Sequence, residues 1–320
     1  MKLLLSAIRS AAIIFFCPFL LPCHSAAYGH EGHEIVGAIA DQLIKGTHAE
    51  VEVKALLHGE SLSEAATWAD RAKSKKGLTD EMNSFVHSNP KHHNFHYTDV
   101  PFQESKYKEH TAGTEDFDIV HSIRACIEIL QNGKTTNSCF HDITQREALM
   151  LLAHYVGDIH QPLHVGAAYI DLKDKFVNPN DGFEGQEDHG GNYLKYGSSS
   201  LHSYWDDNTV SRVMTKAKAG TPQECAAHLI RRARIPKTGG DVISWSQQWA
   251  DEILSVARQA HSNFRVGKKT TVTDFFGTHP QWTVTAPKGY TTWARDVVEV
   301  ELARAGFRLA EVLKTIWPSK

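Results

Sequence analysis

Positive charge is in short supply. The chain has 34 Lys and Arg against 37 Asp and Glu, a formal net charge of −3. That excludes a fixed electrostatic platform for duplex DNA, which needs a surplus of cations. Cysteine is scarce too, with five in 320 residues, and no spacing among them fits a structural thiolate metal site. There is no glycine-rich phosphate loop and no dinucleotide fingerprint. There is no internal repeat, low-complexity tract or linker.

Long apolar runs are missing except near the start, from Ala11 to Leu21. Lys2 and Arg9 precede or flank that run, and Ser25-Ala26-Ala27 follows it with small residues. This order reads as a secretory signal over residues 1–27, cleaved before Tyr28. Pro18 and the short length argue against a membrane span. A lipid-bearing Cys23 is the rival, but Pro22 directly before it fits poorly. Cleavage would remove two basic residues and no acid, leaving 32 basic against 37 acidic, a net of −5. Three cysteines would remain: Cys126, Cys139 and Cys225. In an oxidising compartment Cys126 and Cys139 could close a disulfide loop. An odd count leaves one thiol unpaired, and the connectivity stays open.

What is abundant is histidine, 20 residues, more than Tyr, Trp or Pro. The richest stretch runs from Thr144 to His164. Thr144 and Glu147 have capping-box spacing. Leu149, Leu152, Tyr155, Val156 and Ile159 recur at helical steps, and Pro162 stops the run. Inside this apolar helix His154 and Asp158 stand four apart, on one face, and His164 follows just past its end. Taken alone, such a pair is usually a core hydrogen bond. A second pair, His202 and Asp206, has the same spacing.

The other segments supply isolated candidates. From Tyr28, the residues Ile35, Val36, Ile39, Ala40, Leu43 and Ile44 trace a helix closed by Gly46, with His33 at its start. Residues 49–73 predict one or two helices that carry Asp70. The polar stretch from Lys73 to Asn94 reads as loop. Asn94 to Pro101 reads as extended chain. Ile119 to Leu130 predicts a helix that stops at Asn132-Gly133. Asp171 to Gly191 reads as a long loop of the kind that carries function. Helices follow over 222–234, 242–262 and Tyr290 to Trp317. The irregular stretch 266–289 has room for a short hairpin, Lys269–Phe275 with Gln281–Thr285. The expectation is one domain over 28–320 with an all-α, mainly helical fold.

Two His-x3-Asp pairs, a His after a proline stop, and further His and Asp residues form a nitrogen-and-oxygen ligand set. Zinc accepts such a set, and catalytic sites mix His with carboxylate. Metals held close together serve phosphoryl transfer.

At this point the chain resembles a known family, the single-strand-specific, trinuclear-zinc nucleases and 3′-nucleotidases of the mung-bean-nuclease type. The resemblance covers nearly all of the chain after residue 27. It rests on Gly29 to His33, Trp68-Ala69-Asp70, Phe95-His96-Tyr97-x-Asp99-x-Pro101, and His154-x3-Asp158-Ile159-His160-Gln161-Pro162-Leu163-His164. It continues through Gly190-Gly191-Asn192, Leu201-His202-x2-Trp205-Asp206, and Ala305-Gly306-x-Arg308-Leu309-Ala310. The ordered combination is specific.

The resemblance implies three zinc ions. One is held by Asp70, His96, His154 and Asp158. Asp158 bridges to a second, bound by His33 and by the amine and carbonyl of Tyr28. The third takes His164, His202 and Asp206. The family usually starts with Trp where this chain offers Tyr28. Lys73 matches a cation beside the scissile phosphate. Tyr97, Asp99, Asn192 and the backbone of Gly190 match a pocket that stacks and hydrogen-bonds a base. Water activated between the first two zincs would be the nucleophile, with Asp70 orienting it. Substrates would be single-stranded DNA and RNA and 3′-nucleotides, and products 5′-nucleotides. Duplexes react poorly because a base must leave the stack. A secreted or periplasmic monomer without membrane anchor is expected. The alternatives are a zinc-dependent phospholipase C, whose last ligand pair ends in Glu where this chain has Asp206, and a non-catalytic zinc-binding protein.

Overall fold

The computed structural model describes residues 28–74, 76–137, 139–274 and 276–319. The signal segment expected over residues 1–27 lies outside the described residues. Among the described residues no helix is long and apolar enough to cross a membrane.

The chain opens with α1 (Gly29–Ile44), α2 (His48–Leu56), the short α3 (Leu62–Ala65) and α4 (Trp68–Ala72). The segment expected to be loop instead forms α5 (Asp80–Ser88), capped by the Thr79 hydroxyl on the Met82 amide. Its buried apolar residues, Met82 and Phe85, are too few to mark a helix by periodicity, so the cap is the only signal. Part of the segment expected to be extended is a 3₁₀ turn, His92–His96, followed by β1 (Val100–Pro101).

Next come α6 (Ile119–Asn132), which ends at a left-handed Gly133, and α7 (Gln145–Asp158). The Thr144–Glu147 capping box is present. Every residue from Glu147 to Asp158 is buried. A helix enclosed on all sides is apolar all round; Glu147 is taken up by the capping box, so the two remaining charged or imidazole side chains, His154 and Asp158, must find partners in the interior.

Beyond a 3₁₀ turn at Pro162–His164 lie β2 (Gly166–Ala167), β3 (Tyr169–Ile170), β4 (Phe176–Val177), β5 (Gln186–Glu187), β6 (Leu194–Tyr196) and β7 (Ser199–Ser200). The expected long loop from Asp171 to Gly191 therefore carries two short strands, β4 and β5, which pair on either side of β3. Then come α8 (Leu201–Ser203), a π turn at Tyr204–Asn208, α9 (Thr209–Ala217), α10 (Pro222–Arg232) and α11 (Trp245–His261). The hairpin is real and longer than expected: β8 (Arg265–Asp274) with β9 (Gly277–Thr285). The chain closes with α12 (Tyr290–Ile316). The fold is mainly helical, with small sheets.

Packing centres on α1, which lies against α12, α10, α3 and α7. At the α1–α12 crossing a Cβ on Gly306 would come within 2.4 Å of the Ile39 Cβ. Only glycine permits that approach. Cys126, Cys139 and Cys225 are buried free thiols. The expected Cys126–Cys139 bridge is not formed, and burial pushes the Cys139 thiol up to about 12.

Candidate metal centre

The sequence candidates converge. Three groups of side chains present ligand atoms within 4.8 Å of one another: His33, His154 and Asp158; Asp70, His96 and His154; and His164, His202 and Asp206.

Asp158 faces two ways. Its Oδ1 lies 3.2 Å from His33 Nε2. Its Oδ2 lies 2.9 Å from His96 Nδ1 and 3.1 Å from His154 Nε2. One oxygen thus serves each of two groups, and His154 and Asp158 stand together because they are one turn apart on α7. His33 comes from the first turns of α1 and stacks on His154, rings 3.7 Å apart. Gly157 makes room, since a Cβ there would sit 2.9 Å from His33 Nδ1. Asp70, from α4, holds Lys73 Nζ at 2.6 Å and lies 3.6 Å from His154 Nε2.

Backbone carbonyls set the imidazole tautomers. His154 Nδ1 meets the Ala66 carbonyl at 2.6 Å, His164 Nδ1 the His96 carbonyl at 2.8 Å, and His202 Nδ1 the Gly190 carbonyl at 2.7 Å. A carbonyl only accepts, so each Nδ1 carries the proton and each Nε2 is left with a free lone pair. Metal-binding histidines are commonly oriented by such a bond from the other ring nitrogen. His164 Nε2 and His33 Nδ1 are buried without a hydrogen bond. Buried polar atoms are rarely left so. Lone pairs and carboxylate oxygens gathered in this way suit divalent cations, and the all-nitrogen-and-oxygen donors fit zinc among others.

Burial and neighbouring charges shift these groups in opposite directions. Burial raises Asp158 and Asp70, but the imidazoles around Asp158 hold it well below the carboxylate range. Lys73 and then His154, His96 and His33 do the same for Asp70. In the third group burial pushes His164 and His202 down to about 4. It pushes Asp206 up to about 8, against the pull of His164 and of the Gln161 amide.

The sequence that builds this site matches a known family over nearly all of the described chain. The S1/P1 nuclease profile covers residues 28–318. The chain belongs to the S1/P1 nuclease family. It is similar to Endonuclease 3 of Arabidopsis thaliana, 27% identical over 70% of this chain and 70% of that one. It is likewise similar to Endonuclease 2 of the same plant, 29% identical over 57% of this chain and 56% of that one. Endonuclease 5 matches at 26% identity over 92% of this chain and 91% of its own length.

Within this S1/P1 nuclease chain Tyr28 is fully buried. Its nitrogen donates to Asp206 Oδ1 at 3.2 Å, so it borders the third group as well as the His33 end of α1. Its hydroxyl donates to the His160 carbonyl at 2.7 Å. Tyr97 is half-buried, and its phenol is raised by burial, then by Asp99 and Glu187. Asp99 is buried and held well above the usual carboxylate range by burial and by Glu187 beside it. Gly190 has φ +55°, and a Cβ there would meet the Leu163 carbonyl at 2.3 Å. Asn192 Nδ2 donates to the His189 carbonyl at 2.8 Å.

Three residues escaped the sequence reading. Gln161 donates to Asp206 Oδ1 at 2.8 Å and accepts from the Leu163 amide at 2.5 Å, orienting the acid. Arg308 Nη1 lies 3.0 Å from His160 Nε2, which ties α12 to the end of α7. Glu187 completes the carboxyl pair with Asp99. Gln161 and Arg308 stood in the family motifs, but nothing in their spacing assigned a role.

Proposed function

We propose that the chain is a secreted, zinc-dependent nuclease and 3′-nucleotidase. It cuts single-stranded DNA and RNA to 5′-nucleotides and removes phosphate from 3′-nucleotides. The observation that carries this reading is Asp158, one carboxylate oxygen turned to each of two histidine groups. Asp70, His96, His154 and Asp158 would hold one ion, His33 and Asp158 a second, and His164, His202 and Asp206 a third. The amine of Tyr28, once freed by cleavage of the preceding segment, would complete the second. When bound, the ions supply Lewis acidity toward water and phosphate oxygens.

The protein's own residues do the rest. Asp70 accepts a hydrogen bond from the attacking water and orients it. Lys73, held against Asp70, places an ammonium where phosphate charge grows. Tyr97 offers its ring to an unpaired base, a grip that tolerates any sequence. Asp99 and Asn192 hydrogen-bond the edge of that base, and the Gly190 backbone lines the pocket. A base in a duplex does not reach this ring without leaving its stack.

The test is turnover of 3′-AMP and of matched single-stranded and duplex oligonucleotides, before and after chelation. The mature protein should hold about three zinc ions, one per group. It should lose activity on chelation and regain it with zinc. A fully active metal-free preparation would sink the reading.

A further inference from the structure

The β8–β9 hairpin ends beside the base loop, and its tip is aromatic. Phe276 is 44% exposed, one of five large apolar side chains that the described residues leave in solvent. Its ring stacks on His189, centroids 5.8 Å apart and 28° between planes. His189 directly precedes Gly190, whose carbonyl holds His202. Its own carbonyl accepts from both the backbone amide and the side chain of Asn192. Tyr193 backs the pair, 4.7 Å from His189 and 6.1 Å from Phe276.

This tip is fixed relative to the base loop. Tyr193 stacks on His279 of β9 at 3.7 Å and 10°. His279 Nε2 lies 3.0 Å from Asp274 Oδ2, pinning the turn. β9 pairs with β6 in parallel, Leu194 opposite Trp282, two residues past Asn192. His189 itself is held at φ +50°, a left-handed conformation that a non-glycine residue adopts at a cost.

Building on the nuclease reading, we propose that Phe276, backed by His189, is a second stacking platform for single-stranded nucleic acid. It takes the base of a nucleotide flanking the one held at Asn192. A mononucleotide fills only the first pocket, so the platform favours strands of several nucleotides. Stacking on an aromatic face needs no particular base.

The experiment uses the zinc-loaded protein and a phosphorothioate hexanucleotide carrying 2-aminopurine, whose fluorescence is quenched on stacking. Phe276→Ala should weaken hexanucleotide binding about tenfold and remove part of the quenching. Phe276→Trp should restore both. The ratio of KM for the hexanucleotide to KM for 3′-AMP should rise in the alanine variant by a similar factor. Thermal unfolding of the alanine variant beside wild type checks that both fold alike. Unchanged binding and quenching in the alanine variant, with wild-type protein still cutting single strands, overturn the platform alone. Wild-type protein that neither binds nor cuts the single strand overturns the platform and the nuclease reading together.

Discussion

The two halves of the candidate centre are built by different means. Around Asp158, regular helices carry most of the donors: His33 on α1, Asp70 on α4, His154 and Asp158 on α7. Around Asp206, the donors sit on irregular backbone. His164 ends a 3₁₀ turn, His202 and Asp206 straddle the step from α8 into a π turn, and residues 189–191 are all left-handed. In the first half helical spacing positions the side chains. In the second, particular hydrogen bonds do so: Gly190 to His202 and Gln161 to Asp206. A site can therefore be robust on one side and locally fragile on the other.

The comparison is broken most sharply at Asp158. Asp158→Asn should lower kcat/KM by roughly 10³ or more and strip metal from both helix-borne groups, because one residue serves two. Metal analysis beside 3′-AMP turnover decides it, and retained metal with equal activity would show that Asp158 does not bridge. The next largest effect falls on Tyr28. Protein that begins Met-Tyr28 should fold yet lose one zinc and most activity, since the extra residue displaces the amine. An amine near pKa 8 yields readily to zinc, whereas the same nitrogen inside a peptide bond does not. Matched preparations with the same zinc content and turnover would remove Tyr28 from the site.

Lys73→Ala tests charge without disturbing ligands. A loss of about 100-fold in kcat with all metal retained is expected. A fall in metal content would instead make Lys73 a structural partner of Asp70. On the fragile side, Gly190→Ala forces a Cβ against the Leu163 carbonyl and moves the acceptor of His202. It should cost about 10- to 100-fold in activity and one metal, leaving the Asp158 groups filled. Smallest is Thr144→Ala, which removes the cap of α7. It should cost about 1 kcal/mol in denaturant unfolding with kinetics unchanged. Altered kinetics would mean that the helix-borne half is less rigid than its packing implies.

The same division explains what could be read from the sequence. A capping box, an apolar period and a proline stop announced α7, and four-residue spacing announced both His–Asp pairs. The π turn kept His202 and Asp206 together, 3.3 Å apart, although its register is not that of an α-helix. The helices α5 and α9 went unread because their buried faces are short. The carbonyls of Ala66, His96 and Gly190 have no sequence signature at all, since any residue can supply one. Glu187 reaches Asp99 across the chain, and only the β3–β5 pairing brings them together, through Tyr169. The aromatic tip lay inside a hairpin whose existence was expected but whose packing on the base loop was not.

The bond from His164 Nδ1 to the His96 carbonyl joins the two halves. His96 offers a ring nitrogen to one group while its backbone orients a ring of another. Occupying either group narrows the positions open to that residue. Thermodynamic reciprocity then governs the pair: whatever factor filling the Asp206 group lends to the affinity of the Asp158 groups, filling those lends back unchanged. Zinc titrated into stripped protein should therefore enter as a linked series, with the order of addition affecting the path and not the total.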